Sequence, residues 1–305
     1  MKKNLNILSI NGGGIRGLIA LKQLVELERI CQMPLNKKFQ LISGTSTGGI
    51  IAVMLSIGKP AKELLEIYTK HGDNIFKKRF LRFGVFTAKY DSTYFEELIY
   101  KFVGDMRLSD VAVDITIPAY NITREEMVLF KSKKAREDSR HDFYLRDVIR
   151  ATASAPSFFK AHKIDGDYYI DGGMIINNPA QITFTEARKA NKTLLSPKKI
   201  NCIAFSTGTL KSKFTDETAS AGMLGWASPS VNLLLKNQDQ VTHYFLNEMF
   251  TEEPGVYLRC DSYVDKSDGS IDNANKKNIE AMLIDGDTSS WRNRTAMVKF
   301  HLDTL

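Results

Sequence analysis

The 305-residue chain reads as an α/β fold around a mixed, mostly parallel sheet. Between Leu5 and Ile57 an apolar run of strand length leads twice through a glycine-rich turn into a segment of helical periodicity. Further short apolar runs then alternate with amphipathic stretches to the end of the chain. With 43% hydrophobic and 25% charged residues, the composition is that of a folded protein able to bury a sizeable core, and it excludes a disordered chain.

Leu5 to Ile10 predicts a first buried strand, running into Asn11, Gly12, Gly13, Gly14, Ile15, Arg16 and Gly17. An amphipathic helix follows, with Leu18, Leu21, Leu24, Val25, Leu27 and Ile30 on its apolar side. Strand, glycine turn and helix make an anion site, because unpaired N–H groups at the helix start face any nearby negative charge. Gly12, Gly14 and Gly17 also satisfy the dinucleotide pattern G-x-G-x-x-G, but that fold needs an acidic residue roughly 20 positions on to hold a ribose. Met33 to Ser46 contains no Asp or Glu, so the nucleotide-cofactor reading fails.

A second strand is predicted over Phe39 to Ile42, followed by Gly44, Thr45, Ser46, Thr47, Gly48 and the helix-periodic Ile50, Ile51, Val53, Met54 and Ile57. This fits G-x-S-x-G, in which a tight strand-to-helix turn lifts a serine hydroxyl clear of the backbone. Alone, the pattern is equally a helix-capping turn. Beyond it, helices are expected near Pro60–Phe76 and Ser92–Val103, then strands near Val113–Tyr120 and Met127–Lys133 as a hairpin at the sheet edge. Phe76 to Tyr90 interleaves basic and aromatic residues, as in a lid or membrane-contact loop, or in a solvated connection with its rings tucked inward. The basic run Lys131 to His141 reads as an exposed loop or an anion contact. Tyr168 to Ile170 is a short strand that delivers Asp171 to Gly172 and Gly173, in isolation a tight turn. The remainder gives a strand over Ile200–Thr207, one or two helices over Met223–Phe250, a strand at Val256–Cys260, and two helices near Ala274–Ile284 and Ser289–Leu302.

No linker or repeat interrupts the chain, which predicts one domain over 1–305, with a motif-bearing part over about 5–207 and a helical carboxy-terminal elaboration over 208–305. The formal charge of +7 favours anionic partners such as phospholipid surfaces or nucleotides. Cys31, Cys202 and Cys260 stand singly without metal-ligand spacing, so free thiols are expected and no structural zinc. No signal peptide or membrane span is apparent, which makes the cytoplasm the expected location.

Two glycine turns, one offering N–H donors and one a serine, together with Asp171 ahead of two glycines, are the parts of an acyl-transfer site. In this order and spacing the motifs resemble those of the patatin-like phospholipases: the glycine-rich stretch Asn11–Gly17, the nucleophile turn Gly44–Gly48, and the D-G-G of Asp171–Gly173. Ala151–Phe159 and Asn177, Asn178, Pro179 add to the match, which spans Leu5 to about Thr207. Asn11 departs from the Asp common in that family.

The resemblance implies a three-layer α/β/α fold and a lipid acyl hydrolase that uses no metal and no cofactor. It implies Ser46 as nucleophile and Asp171 as its base, with an oxyanion hole at Gly12, Gly13 and Gly14. Arg16 would hold the glycine loop or meet the substrate phosphate; Gly44, Gly48, Gly172 and Gly173 would support the turns. A triad using one of the five histidines is the rival arrangement. A catalytically idle lipid- or nucleotide-binding module is the rival function. The implied partner is a phospholipid membrane, met from its cytoplasmic inner face, and no nucleic acid polymer. The resemblance extends to bacterial anti-phage effectors that degrade the cell's own membrane once a cyclic dinucleotide binds. Such an activator needs cationic partners, for which Lys131, Lys133, Lys134, Arg136 and Arg140 are candidates. Lys77, Lys78, Arg79 and Arg82 form a second cluster, and the sequence does not choose between them. Constitutive activity is the alternative.

Overall fold

The structure is a computed structural model that describes residues 4–77, 88–189, 199–209, 219–252 and 256–305. Its strands are β1 Leu5–Ile10, β2 Leu41–Gly44, β3 Asp114–Asn121, β4 Glu126–Lys131, β5 His162–Ile164, β6 Asp167–Asp171, β7 Ile200–Phe205 and β8 Val256–Cys260. Its α-helices are α1 Gly17–Cys31, α2 Leu35–Lys38, α3 Thr47–Ser56, α4 Ala61–Ile75, α5 Thr93–Val103, α6 Ser132–Glu137, α7 Leu145–Thr152, α8 Ala180–Arg188, α9 Met223–Glu252 and α10 Lys276–Asp303.

All eight strands join one sheet in the order β5-β6-β3-β2-β1-β7-β8, with β4 paired to β3. The β3-β2-β1-β7-β8 stretch is parallel, and the antiparallel pairs lie around β3 and β6. Side chains alternate across a strand, and both faces of this sheet are covered. Leu8, Ile10, Ile42, Ile203 and Phe205 face a core shared with Leu21 and Leu24 of α1, Ile51 of α3, and Met297 and Phe300 of α10. Ile7, Cys202 and Ala204 face Phe184 of α8 and Leu246 and Phe250 of α9. The chain is therefore three-layered, as the resemblance implied.

The register around β3 decides what meets what. β2 pairs with Asp114–Thr116, whereas β6 pairs with Ala119–Asn121. Because β4 pairs with Thr116 to Asn121, it takes the opposite edge, so β2 and β6 share one edge of β3. β2 runs parallel to β3 and β6 antiparallel, so their carboxy-terminal ends approach each other over Ile117 and Pro118.

Four expectations change. Strand β2 lies two residues later than the apolar run suggests. The hairpin β3–β4 is not an edge feature as a whole, since β3 is interior and β4 alone is lateral. Lys131–His141 is not an open loop: α6 and a 3-10 turn at Ser139–His141 form there, with Ser132 and Ala135 buried. The two expected terminal helices are one, α10, uninterrupted through Asp285-Gly286-Asp287. Gly286 serves close packing, because a Cβ there would lie 2.7 Å from Lys22 Cγ of α1. The three cysteines are buried free thiols.

Candidate active site

The turn after β2 is held shut by missing side chains. A Cβ on Gly44 would lie 1.9 Å from the Gly48 carbonyl oxygen, and one on Gly48 would lie 2.2 Å from that of Ile10. Ser46 itself sits at φ 54°, ψ −123°, a strained conformation for a residue with a Cβ. The surroundings hold it there. Its N–H donates to Thr152 Oγ1 at 3.0 Å, and that hydroxyl donates to the Pro118 carbonyl at 2.7 Å. Thr45 Oγ1 donates to the Ile176 carbonyl at 2.8 Å.

The end of β6 faces this turn. Ser46 Oγ donates to Asp171 Oδ2 at 2.6 Å. Asp171 Oδ1 accepts the Gly173 N–H at 2.7 Å, and the Asp171 N–H donates to the Ser154 carbonyl at 3.0 Å. The aspartate is 3% exposed, and burial pushes its pKa up to about 6, although the Ser46 hydroxyl and Gly173 N–H both pull it down. A carboxylate raised that far is a far better acceptor for a serine proton near neutral pH than an ordinary one, yet it stays mostly ionised there.

The glycine loop completes the site, and its donors divide sharply. Gly12 N–H is spent on the Asn177 carbonyl at 3.0 Å, and Ile15 N–H on the Ile271 carbonyl at 2.9 Å. Among the described residues, the N–H groups of Gly13 and Gly14 have no protein acceptor, and both glycines line the cavity that contains Ser46 and Asp171. Gly14 adopts φ 58°, and a Cβ on it would strike the Ile271 carbonyl. Two unpaired donors beside a serine are what an oxyanion needs.

This cavity has a volume of about 840 Å³ and extends away from Ser46 between α3, α4 and α5, past Met54, Leu64, Ile67, Leu98 and Phe102. Its described charged lining residues are Asp171, Asp268 and Asp272. Tyr90 and Phe76 pack edge to face at 5.4 Å, and both rings reach Phe159. The ends of the basic aromatic stretch 76–90 are thus tucked inward, while 78–87, with Lys78, Arg79 and Arg82, lies outside the described residues. Lys77 is exposed.

A nine-tenths-buried Arg16 does not line the cavity. Its Nη1 donates to the Gly208 carbonyl at 3.2 Å, which ties it to the segment after β7, and burial lowers its pKa to about 10. None of the five histidines lines the cavity: His71 bonds the Tyr94 hydroxyl, His162 bonds Asp147, and His243 bonds the Tyr257 hydroxyl. The basic run is also elsewhere, and partly neutralised. Lys131 pairs with Glu186, Arg136 with Asp114 and Arg140 with Asp138. Neither these nor Lys133 and Lys134 line the cavity.

Thr152 lies inside the Ala151–Phe159 match and Thr207 closes the strand expected over Ile200–Thr207, but the sequence marks neither as part of the site. Thr207 Oγ1 donates to the Gly12 carbonyl at 2.5 Å, fixing the glycine loop from β7. A hydroxyl residue just past the apolar strand of 200–205 was the available signal.

The profile of the family described as patatin-like phospholipase matches residues 8–184, which takes in all three motifs. The chain belongs to the patatin-like phospholipase family. A cGAMP-activated phospholipase of Vibrio cholerae serotype O1 is 30% identical over 94% of this chain and 90% of that protein. Patatin-like protein 3 of Arabidopsis thaliana is 29% identical over 91% of this chain and 78% of that protein. Patatin-T5 of Solanum tuberosum is 26% identical over 91% and 81%. With membership of the patatin-like phospholipases comes lipid hydrolysis as the class of activity.

Proposed function

We propose that this chain is a serine acyl-hydrolase of phospholipids or lysophospholipids working through a Ser46–Asp171 dyad. The observation that carries the reading is the 2.6 Å bond from Ser46 Oγ to a buried carboxylate, both lining a largely apolar cavity beside two unspent N–H donors. Asp171 takes the Ser46 proton as Oγ attacks the ester carbonyl, and negative charge gathers on the carbonyl oxygen opposite Gly13 and Gly14. The alcohol leaves with the proton from Asp171. A water, deprotonated by the same carboxylate, then releases the fatty acid. The apolar lining between α4 and α5 suits an acyl chain. A pure binding module has no need of a nucleophile beside a base.

Ser46→Ala and Asp171→Asn should each remove hydrolysis of phospholipid vesicles by three or more orders of magnitude without unfolding the protein, by analogy with the ~10⁴-fold losses of other nucleophile–base pairs. A fluorophosphonate should label Ser46. Full turnover by folded Ser46→Ala refutes the dyad, and loss of turnover on replacing a single histidine would favour a triad.

The chain is further read as an effector switched on by a cyclic dinucleotide at the cytoplasmic face of the membrane, in defence against phage. Support comes from the cGAMP-activated phospholipase relative. Among the described residues no helix is long and apolar enough to cross a membrane. Vesicle hydrolysis assayed with a panel of cyclic dinucleotides tests this: high basal turnover that none of them raises ends the regulatory reading and leaves the hydrolase reading intact.

A further inference from the structure

Asn11, which opens the glycine-rich stretch directly after β1, is 3% exposed. Its Nδ2 donates to Asp239 Oδ1 of α9 at 2.8 Å, while its own Oδ1 has no partner among the described residues. The amide is thus held through its donor alone. Asp239 Oδ1 also accepts Nδ2 of Asn178 at 2.8 Å, and Oδ2 accepts Arg259 Nη2 at 2.6 Å. Asn178 lies on the segment that follows Asp171, and its Oδ1 accepts the Ala180 N–H at the start of α8. The neighbouring Gln238 accepts the Asn177 N–H at 2.8 Å, and Asn177 in turn accepts the Gly12 N–H. One turn of α9 therefore grips both halves of the site, the loop that carries the N–H donors and the segment behind the base.

We propose that Asp239 is a positioning residue for this site, acting through Asn11 and Asn178 to set the glycine loop against Ser46 and Asp171. The chemistry explains the amide at position 11. A carboxylate there would face Asp239 with no proton to share, and two like charges in contact at a buried site cannot both stay ionised. An amide donates to Asp239 and removes the conflict. This proposal rests on the hydrolase reading of Ser46.

The test uses Asn11→Asp, Asp239→Asn and the double variant, which exchanges the two groups. Two readouts are taken: hydrogen exchange of the peptide covering 11–17, and kinetics on a soluble short-chain p-nitrophenyl ester. Each single variant should speed exchange at 11–17 by about 10-fold or more. Each should lower kcat by about 10- to 100-fold, since a small misplacement of donors costs that much, with KM within about twofold. The double variant should recover the part of both losses that runs through position 11, because a carboxylate again faces an amide, but not the part carried by Asn178 and Arg259, which lose a carboxylate acceptor in it as in Asp239→Asn. Unchanged exchange in both singles overturns the proposal, as does a double variant no better than the worse single. Asp239→Asn, which keeps shape, covers the case in which Asn11→Asp fails to fold. A wild type inert on the ester both without and with the panel of cyclic dinucleotides would sink the hydrolase reading instead, while exchange still decides on the tie.

Discussion

Asp171 carries the largest consequence of any single residue. Its pKa near 6 comes from burial, and as the proposed base it must be ionised, so kcat/KM should fall about tenfold per pH unit below ~6 and level off above. A pH–rate profile on a soluble ester checks this; an inflection near 4 would mean that Asp171 is solvated during turnover. The same shift bears on folding. The folded-state pKa lies above the unfolded value of about 3.9, so as pH rises the unfolded chain loses its proton first. The contribution of Asp171 to stability is therefore whole below pH ~4 and is lost between about 4 and 6, a cost of order 3 kcal/mol at neutral pH. Asp171→Asn should consequently raise the melting temperature at pH 7.5 by several degrees while abolishing turnover, with the gain gone at pH 4. Calorimetry at the two pH values reads it. At this scale much was legible in the sequence. Gly44 and Gly48 had to be glycine, because neighbouring backbone occupies the place of their Cβ atoms. The contact between Asn11 and Asp239 was not legible, because 228 positions separate its partners and Asp239 stands in no pattern.

At the scale of elements, α4 and α5 build the apolar arm of the cavity. Leu98 on α5 is only half-buried and lines it, so a larger side chain can enter without breaking the core. Leu98→Trp should shorten the preferred acyl chain, lowering kcat/KM for long-chain over short-chain esters by about 10- to 200-fold, the range that a small change of apolar volume commands in such pockets. Equal loss for all chain lengths would place the acyl group elsewhere. Helix and strand types along this arm followed from periodicity, and Ala61–Ile75 and Thr93–Val103 fall within a residue of the expected bounds. The head-to-head approach of β2 and β6 did not follow. It depends on β3 pairing with both along one edge, and period-2 patterns say which face a side chain takes but not which strand is its neighbour. The single helix α10 was missed for a related reason. Gly286 reads as a break in isolation and becomes a contact point only once α1 lies against it.

At the scale of the molecule, the family match ends at residue 184, yet the layers do not end there. β8 extends the sheet beyond β7, α9 covers one face and α10 the other. Phe300 stacks on Phe39 with ring centroids 5.9 Å apart, and Leu246, Met282, Met297 and Phe300 are fully buried. At roughly 1.5–3 kcal/mol for each such side chain, these four supply on the order of 10 kcal/mol. That equals the whole net stability of a typical folded protein, about 5–15 kcal/mol. Without 208–305, β7 would also become an exposed edge, although every residue from Ile200 to Phe205 is buried. The chain is therefore expected to unfold as one cooperative unit. A fragment ending at Thr207 contains every motif and should nevertheless show no cooperative melt by circular dichroism and no labelling of Ser46 by a fluorophosphonate. The full chain should melt in one transition, and adding the separately made 208–305 segment should restore labelling only if the two associate. Cooperative unfolding of the short fragment, with labelling retained, would instead make 5–207 an independent catalytic domain and leave Asp239 as an accessory to a site that assembles without it.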